Sequence, residues 1–572
     1  MKAFSLSASL VSPLAILATT CVTPAIAQSS LPSRLVPSTF QPKPSAVARP
    51  LDIGRYSGAE IPAGAAKLSV RVGAVVVEGD LNLLPAARER LEATIRGKTL
   101  TVEELFAAAR AYEMAHAEAG YVLTRVSIPP QRLVPGSPVK LVVVNGVIDG
   151  IDVSGLPERT RAPVSARVGR IVGKSPVTRG EIESALLTAG DLYALTLRST
   201  LAPGDREGST RLVLDGEQPL VSGNLGVDNR MSSRVGSAAL SGAVSLNGAA
   251  GFGEQFYVAF GSDAEDPAST QAPQRIVAVG AVFPLGSGGI TLSPEFAMAR
   301  SYPEPVVTGL QTDESYMRGA LRLGVPIIRE VNRNLALNVG VEAIRQRVRY
   351  ETFDIDASRD RYVVARAGID GVEAWDAASL GYGLTLSRGI TGRDGADAER
   401  TGVPLTRQGA EPGFTKLVAG LRGGVVVGPI ALAAIARGQS SFGQPLYSSE
   451  QMSLDGADAV SGFDAGDLSV DEGATLRLEL SPARAYPLAW GITVVPYVFA
   501  AHGVGYLRGP TAVEQSFQRA SSAGIGFRSE LGPLIPGTAG TSLRVEYARS
   551  DSDPVVRGHG GHRVTVGLMA RF

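Results

Sequence analysis

A signal peptide, two tandem α+β units of order β-α-α-β-β and a C-terminal 16-stranded antiparallel transmembrane β-barrel form the architecture this sequence predicts. Three observations point to it. An apolar leader ends in a small-residue cleavage triplet, a mixed helix and strand pattern then occurs twice, and the rest of the chain alternates apolar and polar residues with a period of two. Composition agrees. The 572 residues include 67 Gly and 36 Pro, and the charged fraction is 19%, below the roughly 25% of ordinary soluble domains. Lys plus Arg balance Asp plus Glu at 55 each, which excludes nucleic acid as a bulk partner, since phosphate binding leaves a basic excess. A single Cys excludes a disulfide framework or a Cys-built zinc site.

The leader begins with Met1-Lys2, carries no charge through Val22 and closes on Ala25-Ile26-Ala27, so residues 1–27 are predicted to be a removable signal peptide. Cys21 follows Thr20, where a lipoprotein would have Gly, Ala or Ser, and it falls inside the leader. No later stretch reaches about 18 consecutive apolar residues, so a membrane can be entered only as β-structure. Residues 28–66 carry Pro32, Pro37, Pro42, Pro44, Pro50 and Pro62 and read as an extended periplasmic linker.

The first α+β unit, 67–146, is predicted to hold a strand over 68–77 and a helix over 86–95. A second helix is capped by Thr101 with Glu104 three residues on, and Gly120 ends it. Strands follow over 121–128 and 139–144. The second unit, 147–217, repeats the order with a strand over 147–153, helices over 162–172 and 179–189, and strands near 196–201 and 211–214. Such a pair is a binding module rather than an enzyme scaffold.

From 218 to 572 helical periodicity disappears. Leu476, Leu478 and Leu480 oppose Thr475, Arg477 and Glu479, while Met317, Leu321 and Leu323 oppose Arg318, Ala320 and Arg322. Leu543, Val545 and Tyr547 oppose Arg544 and Glu546, and Val564, Val566, Leu568 and Phe572 oppose Arg563 and Thr565. A soluble sandwich would alternate too, but the export signal, the number of segments and Phe572 closing an amphipathic strand favour a membrane barrel. Sixteen strands leave about 22 residues for each strand and its connection. Arg318, Arg322, Arg477, Glu479, Arg544 and Arg563 are then expected to line a water-filled lumen, and Phe572 to serve as a barrel-assembly signal.

Catalytic chemistry finds little support. The four histidines are His116, His502, His559 and His562. The His559-Gly-Gly-His562 pair lacks a nearby third ligand, His116 is expected to be exposed or a packing residue, and His502 to face the lumen. No Gly-x-Ser-x-Gly elbow is present, so no catalytic, cofactor or metal residue is predicted.

The stretch from Gly120-Tyr121 to Pro129-Pro130-Gln131, followed by Asn145-Gly146, resembles a POTRA domain of two-partner secretion transporters, the TpsB or ShlB/FhaC/HecB family. Arg198 to Gly204 and Leu225 to Asn229 resemble that family's second POTRA domain and first barrel strand. Residues 451–478, with Val460-Ser461-Gly462-Phe463, are similar to the loop carrying a Val-Arg-Gly-Tyr/Phe motif in the wider BamA-type superfamily. The resemblance implies two POTRA domains in the periplasm of a Gram-negative bacterium, at 67–146 and 147–217, beneath an outer-membrane barrel over 218–572 whose loop, about 452–473, folds inward.

It further implies export of one large, unfolded exoprotein without nucleotide hydrolysis. The exoprotein would be caught by strand addition to a sheet edge beside the second helix of POTRA 1. The candidates there are Tyr121, Leu123 and Arg125 on the edge and Leu105 and Tyr112 on the helix, although amphipathic helices usually bury such apolar residues on their own sheet. Other implied partners are outer-membrane lipid, and the barrel-assembly machinery and periplasmic chaperones during biogenesis.

Two departures stand out. The family's loop arginine reaches an aspartate in a Phe-x-Asp-x-Gly strand, but here those positions are Ser461 and, between Phe499 and Gly503, Ala501. Losing both halves together can be nearly neutral, so the loop is expected still to enter the lumen. Several family members also plug the pore with an N-terminal helix, for which the prolines before Ala66 leave little room, so a plugged state is expected to be absent or differently gated. The alternatives are a barrel-assembly or surface-display translocase of the same superfamily, which generally carries more POTRA domains, and a general diffusion porin, which needs no peptide-binding domains.

Overall fold

The computed structural model describes residues 39–41 and 61–572, apart from 207, 233, 268, 270–271, 305–310, 465, 513, 533–539 and 555–560. The predicted signal peptide, most of the linker and His559 lie outside the described residues.

The first unit runs β1 (Ser69–Arg71), β2 (Val75–Glu78), α1 (Pro85–Ile95), β3 (Thr99–Thr101), α2 (Val102–Glu118), β4 (Arg125–Ser127) and β5 (Val139–Val144). Thr101 and Glu104 close the predicted capping box on α2, and Gly120 follows the helix with φ +95°. The strand expected over 68–77 is broken because its halves pair with different partners. β1 pairs with β3, while β2 runs parallel to β5. Between them Gly73 passes so close to the 136–137 turn that a Cβ would lie 2.0 Å from the Gly136 carbonyl oxygen. The strand expected over 121–128 shrinks to β4, because Tyr121 to Thr124 close a turn in which Thr124 N–H donates to the Tyr121 carbonyl.

The second unit holds β6 (Val147–Gly155), α3 (Glu158–Val168), α4 (Arg179–Gly190), β7 (Thr196–Pro203) and β8 (Ser209–Glu217), with sheet order β6-β8-β7. Its helix α3 begins earlier than the expected 162 because the chain turns into it at Pro157, and it tightens into a 3-10 turn over Gly169–Ile171. Val164, Val168, Ile182, Ala185 and Leu212 form its core.

The barrel starts with β9 (Val221–Asp228), β10 (Ala239–Asn247), β11 (Gln255–Asp263), β12 (Gln274–Leu285), β13 (Ile290–Ser301), β14 (Thr312–Arg329), β15 (Arg333–Tyr350), β16 (Ile355–Ala374) and β17 (Ala378–Gly392). A short helix α5 (Gly395–Thr401) precedes β18 (Thr415–Val427) and β19 (Ile430–Ser440). The next connection holds the small ladder of β20 (Met452–Ser453) with β21 (Ser469–Val470). Then come β22 (Glu472–Pro482), the two-residue β23 (Tyr486–Pro487), β24 (Thr493–Tyr506), β25 (Phe517–Glu530), β26 (Gly540–Asp553) and β27 (His562–Arg571).

Sixteen long antiparallel strands thus close into a barrel through β27 and β9. Closure satisfies the backbone in lipid. The period of two sends Phe256, Val258, Phe296, Met298, Met317, Leu321, Leu476, Leu478, Val566 and Leu568 outward as half-exposed apolar residues. The closing seam is short, from Gly567↔Asp228 to Arg571↔Asn224, whereas β15 and β16 pair from Arg333↔Glu373 to Tyr350↔Ile355. Phe572 extends the seam by exchanging backbone hydrogen bonds with Gly223.

The second unit docks on the short turns at one end of the barrel. Arg329 of β14 clasps Asp191 in a two-pronged ion pair, one contact being 2.8 Å. Gly289 lies close to Thr188, and Gly253 lies against Leu192 and Arg167. Because both partners are partly shielded, Asp191→Asn is expected to weaken docking by about 2 kcal/mol. Spin labels on the second unit and on the β14–β15 turn should then show a broadened distance distribution.

Candidate functional site in the barrel lumen

Alternation places every second residue of each strand in the lumen, and the charges there form two connected networks. In the first, Glu295 of β13 pairs with Arg318 at 2.6 Å and Arg322 at 3.2 Å on β14. Arg322 continues to Glu342 of β15, which holds Arg366 of β16, and Arg366 reaches Glu450 at 2.7 Å. Lys416 of β18 takes the other oxygen of Glu450. In the second, Arg477 of β22 pairs with Glu479 and with Glu546 of β26, both at 2.7 Å, while Arg528 meets Glu479 and Arg544 meets Glu546. Buried charges persist only when paired, and these networks pair each of their carboxylates with at least two cations. The expected lumen residues Arg318, Arg322, Arg477, Glu479, Arg544 and Arg563 all face inward.

At this level the lumen is not the open water-filled channel expected from the strand pattern, because the segment between β19 and β22 folds into it. Leu454, Val460, Phe463, Leu468 and Val470 pack together with Ala501 and Ala520 of the wall. Gly503 admits the loop closely, since a Cβ there would lie 3.2 Å from Val460. Gly462, with φ +100°, lies against Ala548 and Ser550, and Ser550 donates to its carbonyl oxygen. Polar ties surround this apolar patch. Asp458 pairs with Arg422 at 2.6 Å, Asp464 pairs with Arg563, and Arg477 donates to the Ser461 hydroxyl at 2.9 Å.

The arginine missing at Ser461 therefore has a counterpart on the wall. Arg477 is fully buried, holds two carboxylates and stacks its guanidinium 3.9 Å from the centre of the Phe499 ring. The contact direction is inverted relative to the family motif, with the cation on the strand and a neutral acceptor on the loop. Restoring the motif as Ser461→Arg with Ala501→Asp would set a second guanidinium against Arg477 and a carboxylate into the apolar patch at Ala501. Export by that double variant is expected to fall roughly tenfold, because both new charges are desolvated and the carboxylate at 501, directly opposite Arg477, competes with Glu479 and Glu546 for it. A large gain in export would show that the loss is not compensated.

In the first α/β unit the predicted residues are scattered. Leu105 and Tyr112 are 1% and 2% exposed and lie in the unit's own core, so as direct client contacts they need correction: α2 uses its apolar face to cover its own sheet. Burial and a 3.0 Å hydrogen bond to Asp80 push the Tyr112 phenol well above its ordinary pKa. Leu123 is also enclosed, packed with the core of the second unit and against Gly146. Tyr121 stays half-buried at the turn beside His116. Arg125 folds back onto the Val122 and Thr124 carbonyls and lies 4.0 Å from Glu113. Beyond it, β4 is the edge strand of its sheet, and the Val126 N–H donates at 2.9 Å to Glu113 of α2 rather than to β5.

Two histidines are also placed. His116 is a packing residue, 1% exposed, with Nδ1 3.0 Å from the Tyr112 carbonyl. His502 faces outward rather than into the lumen, against Ser521, because it is out of phase with the lumenal Phe499, Ala501 and Gly503.

The linker supplies the largest surprise. Thr39, Phe40 and Gln41 lie within the barrel, with Phe40 only 9% exposed in a cluster that includes Tyr193 of the second unit and Tyr257 of β11. The Phe40 N–H donates to Glu295 at 2.7 Å. Of the two expected alternatives, no plugged state or a differently gated one, the three linker residues inside the barrel favour the second, and they form no helix. Glu546 is on the polar face that the sequence pattern gives with Arg544, whereas Glu295 and Glu342 lie on strands for which that pattern assigns no lumenal residue, although the same period of two applies to them. Phe40 carries no such signal.

The arrangement is a closed barrel, with a loop folded into it from one end and an α/β unit docked at the other. Residues 208–529 match the family described as haemolysin secretion/activation protein ShlB/FhaC/HecB, and residues 70–146 match the ShlB-type POTRA domain. An outer membrane transporter CdiB of Escherichia coli O6:K15:H31 is 24% identical over 449 residues, covering 77% of this chain and 72% of that protein. Another Escherichia coli CdiB is 28% identical over 220 residues, a match spanning 38% of this chain and 36% of that relative. The solved structure of CdiB from Escherichia coli superposes with a TM-score of 0.67 at 21% identity, covering 92% of this chain and 94% of that one. CdiB from Acinetobacter baumannii gives 0.57 at 14% identity, over 98% and 96%. With the family match running from the last strand of the second α/β unit through most of the barrel, the chain belongs to the ShlB/FhaC/HecB family of two-partner secretion outer-membrane transporters, with its POTRA domains in the periplasm.

Proposed function

We propose that this transporter exports one large exoprotein, in extended form, from the periplasm through the barrel to the cell surface, and that it first catches the client by strand addition at the β4 edge of POTRA 1. The carrying observation is the Val126 N–H, directed away from β5 and held by the Glu113 carboxylate at 2.9 Å. An incoming strand offers a carbonyl in place of that carboxylate, and main-chain pairing makes capture tolerant of side-chain sequence. Recognition thus moves from the enclosed Leu105, Tyr112 and Leu123 to the backbone of β4, with Arg125 and Glu113 as its polar rim. No nucleotide is needed if folding of the client outside supplies the free energy. Delivery of the barrel to the membrane would use periplasmic chaperones and the barrel-assembly machinery.

The test is export of this transporter's partner exoprotein, to be sought as a long repetitive β-helical protein encoded by a neighbouring gene. Proline is tolerated on edge strands where the N–H faces outward, so Val126→Pro removes the donor and keeps the inward pairing of Arg125 and Ser127 with β5. Export is expected to fall roughly tenfold, the scale of one lost charge-independent hydrogen bond at a binding edge. Undiminished export with the POTRA domain folded would overturn capture at this edge.

A further inference from the structure

The linker strip in the barrel shows what the lumen wall binds. Glu295 is the centre of that contact, with a side chain at 0% exposure. Its two oxygens divide the work. Oε1 takes Arg318 and Arg322, which offset the buried charge. Oε2 takes the Tyr257 hydroxyl at 2.8 Å, the Phe40 N–H at 2.7 Å and the Thr39 hydroxyl at 3.1 Å. Arg322 also approaches Thr39 Oγ1, at 3.4 Å, and the Gln41 side-chain amide donates to the Tyr193 hydroxyl at 2.9 Å. The Gln41 N–H turns back to donate to the Thr39 hydroxyl at 3.0 Å, so the strip bends here rather than running as a strand. Phe40 meanwhile fills apolar space beside Tyr193 and Tyr257.

We infer that Glu295, with Tyr257, Arg322 and Tyr193, forms a receptor site for a main-chain N–H and the large apolar side chain beside it in an unfolded polypeptide. The linker strip holds it at rest, and the exported exoprotein takes it in transit. The transit half rests on the functional reading above. The chemistry is that of a client-tolerant site. A main-chain N–H is offered by every residue except proline, and a charge-assisted bond from it to a buried carboxylate is stronger than a neutral one. The tyrosine-lined space beside it accepts a large apolar side chain. Position supports the same conclusion. Tyr193 belongs to the segment joining α4 to β7 of POTRA 2, the unit docked on the barrel through Asp191 and Arg329. A chain passed on from the POTRA domains therefore meets this site on entering the barrel. When the linker leaves, Glu295 loses its main-chain donor and keeps Tyr257 and its two arginines, so the site is preformed for the next unfolded chain.

The probe is the acetylated, amidated peptide of residues 37–44, Pro-Ser-Thr-Phe-Gln-Pro-Lys-Pro, added on the POTRA side of planar bilayers. The bilayers hold either the mature chain or a variant lacking residues 28–60. The deletion variant is expected to conduct more than the mature chain, and the peptide to block it. A peptide methylated on the Phe40 nitrogen should block roughly tenfold less well, since it lacks only the donor that Glu295 accepts. Equal block by the methylated peptide, or no block by either, would overturn the site, and both results leave the protein's own fold untouched. Glu295→Gln, checked for folding by heat-modifiable gel mobility, should lose block to a similar degree, whereas unchanged block would count against the assignment. Exoprotein export by folded Glu295→Gln is read separately. A roughly fivefold fall supports transit through the site, and wild-type export overturns transit. Failure of the unaltered chain to export its partner exoprotein would instead defeat the functional reading, with the peptide result standing by itself.

Discussion

Replacing Arg477 with alanine is expected to destabilise the barrel by about 3–5 kcal/mol, the usual cost of removing one partner from a buried ion pair. The side chain is fully buried and serves four neighbours: Glu479, Glu546, the Ser461 hydroxyl and the Phe499 ring. Truncation leaves Glu546 to Arg544 and Glu479 to Arg528. It removes the Arg477 hydrogen bond to Ser461, leaving that hydroxyl to Glu546, and opens a void under Phe499. Two readouts should move together. The temperature at which the folded form disappears on heated gels should fall, and the loop should become more accessible, seen as faster labelling of a cysteine placed at half-buried Ala457. Arg477→Lys is expected to fall between the two, because an ammonium keeps the charge but cannot reach two carboxylates and a hydroxyl with one planar fork. Wild-type thermal behaviour in Arg477→Ala would mean that the wall cation does not hold the loop.

Much of this site is legible in the amino-acid sequence, for a definite reason. A period of two fixes which face a residue takes as soon as the strand is recognised, so Arg318, Arg322, Arg477, Glu479, Arg544 and Arg563 can be assigned inward from spacing. Their partners cannot, because these depend on register between strands. Arg477 faces Ala501 on β24, whereas Glu546 of β26 faces Gly526 of β25 and, through it, Tyr497 of β24, so their contact depends on three registers together. The replacement of a loop arginine by a wall arginine is of that kind.

The first POTRA unit departs from its local pattern in two places through non-local packing. The run from Tyr121 to Ile128 reads as one strand, yet Leu123 is drawn into the neighbouring unit's core. Residues 68–77 also read as one strand, yet divide between two sheets. Phe40 lies beyond reach for another reason: a lone aromatic in a proline-rich linker has no periodicity to read. Its place is set by a carboxylate 255 residues away.

On the proposed export route the client crosses the lumen that the inward loop occupies, so the loop must yield for it to pass. Gly503 and Leu454 allow it to be fixed in place. A Cβ at Gly503 would lie 3.5 Å from that of Leu454, at the short end of the roughly 3.5–4.5 Å spanned by disulfides. The sequence holds no cysteine other than Cys21, so the pair Leu454→Cys and Gly503→Cys would have no competing thiol after the predicted leader is removed. With the disulfide formed, export of the partner exoprotein is expected to fall to about a tenth or less of the unaltered chain's and to recover on reduction, while each single variant exports regardless of oxidant. Export at the unaltered rate with the disulfide fully formed would contradict the account, because the client would then be crossing without displacing the loop.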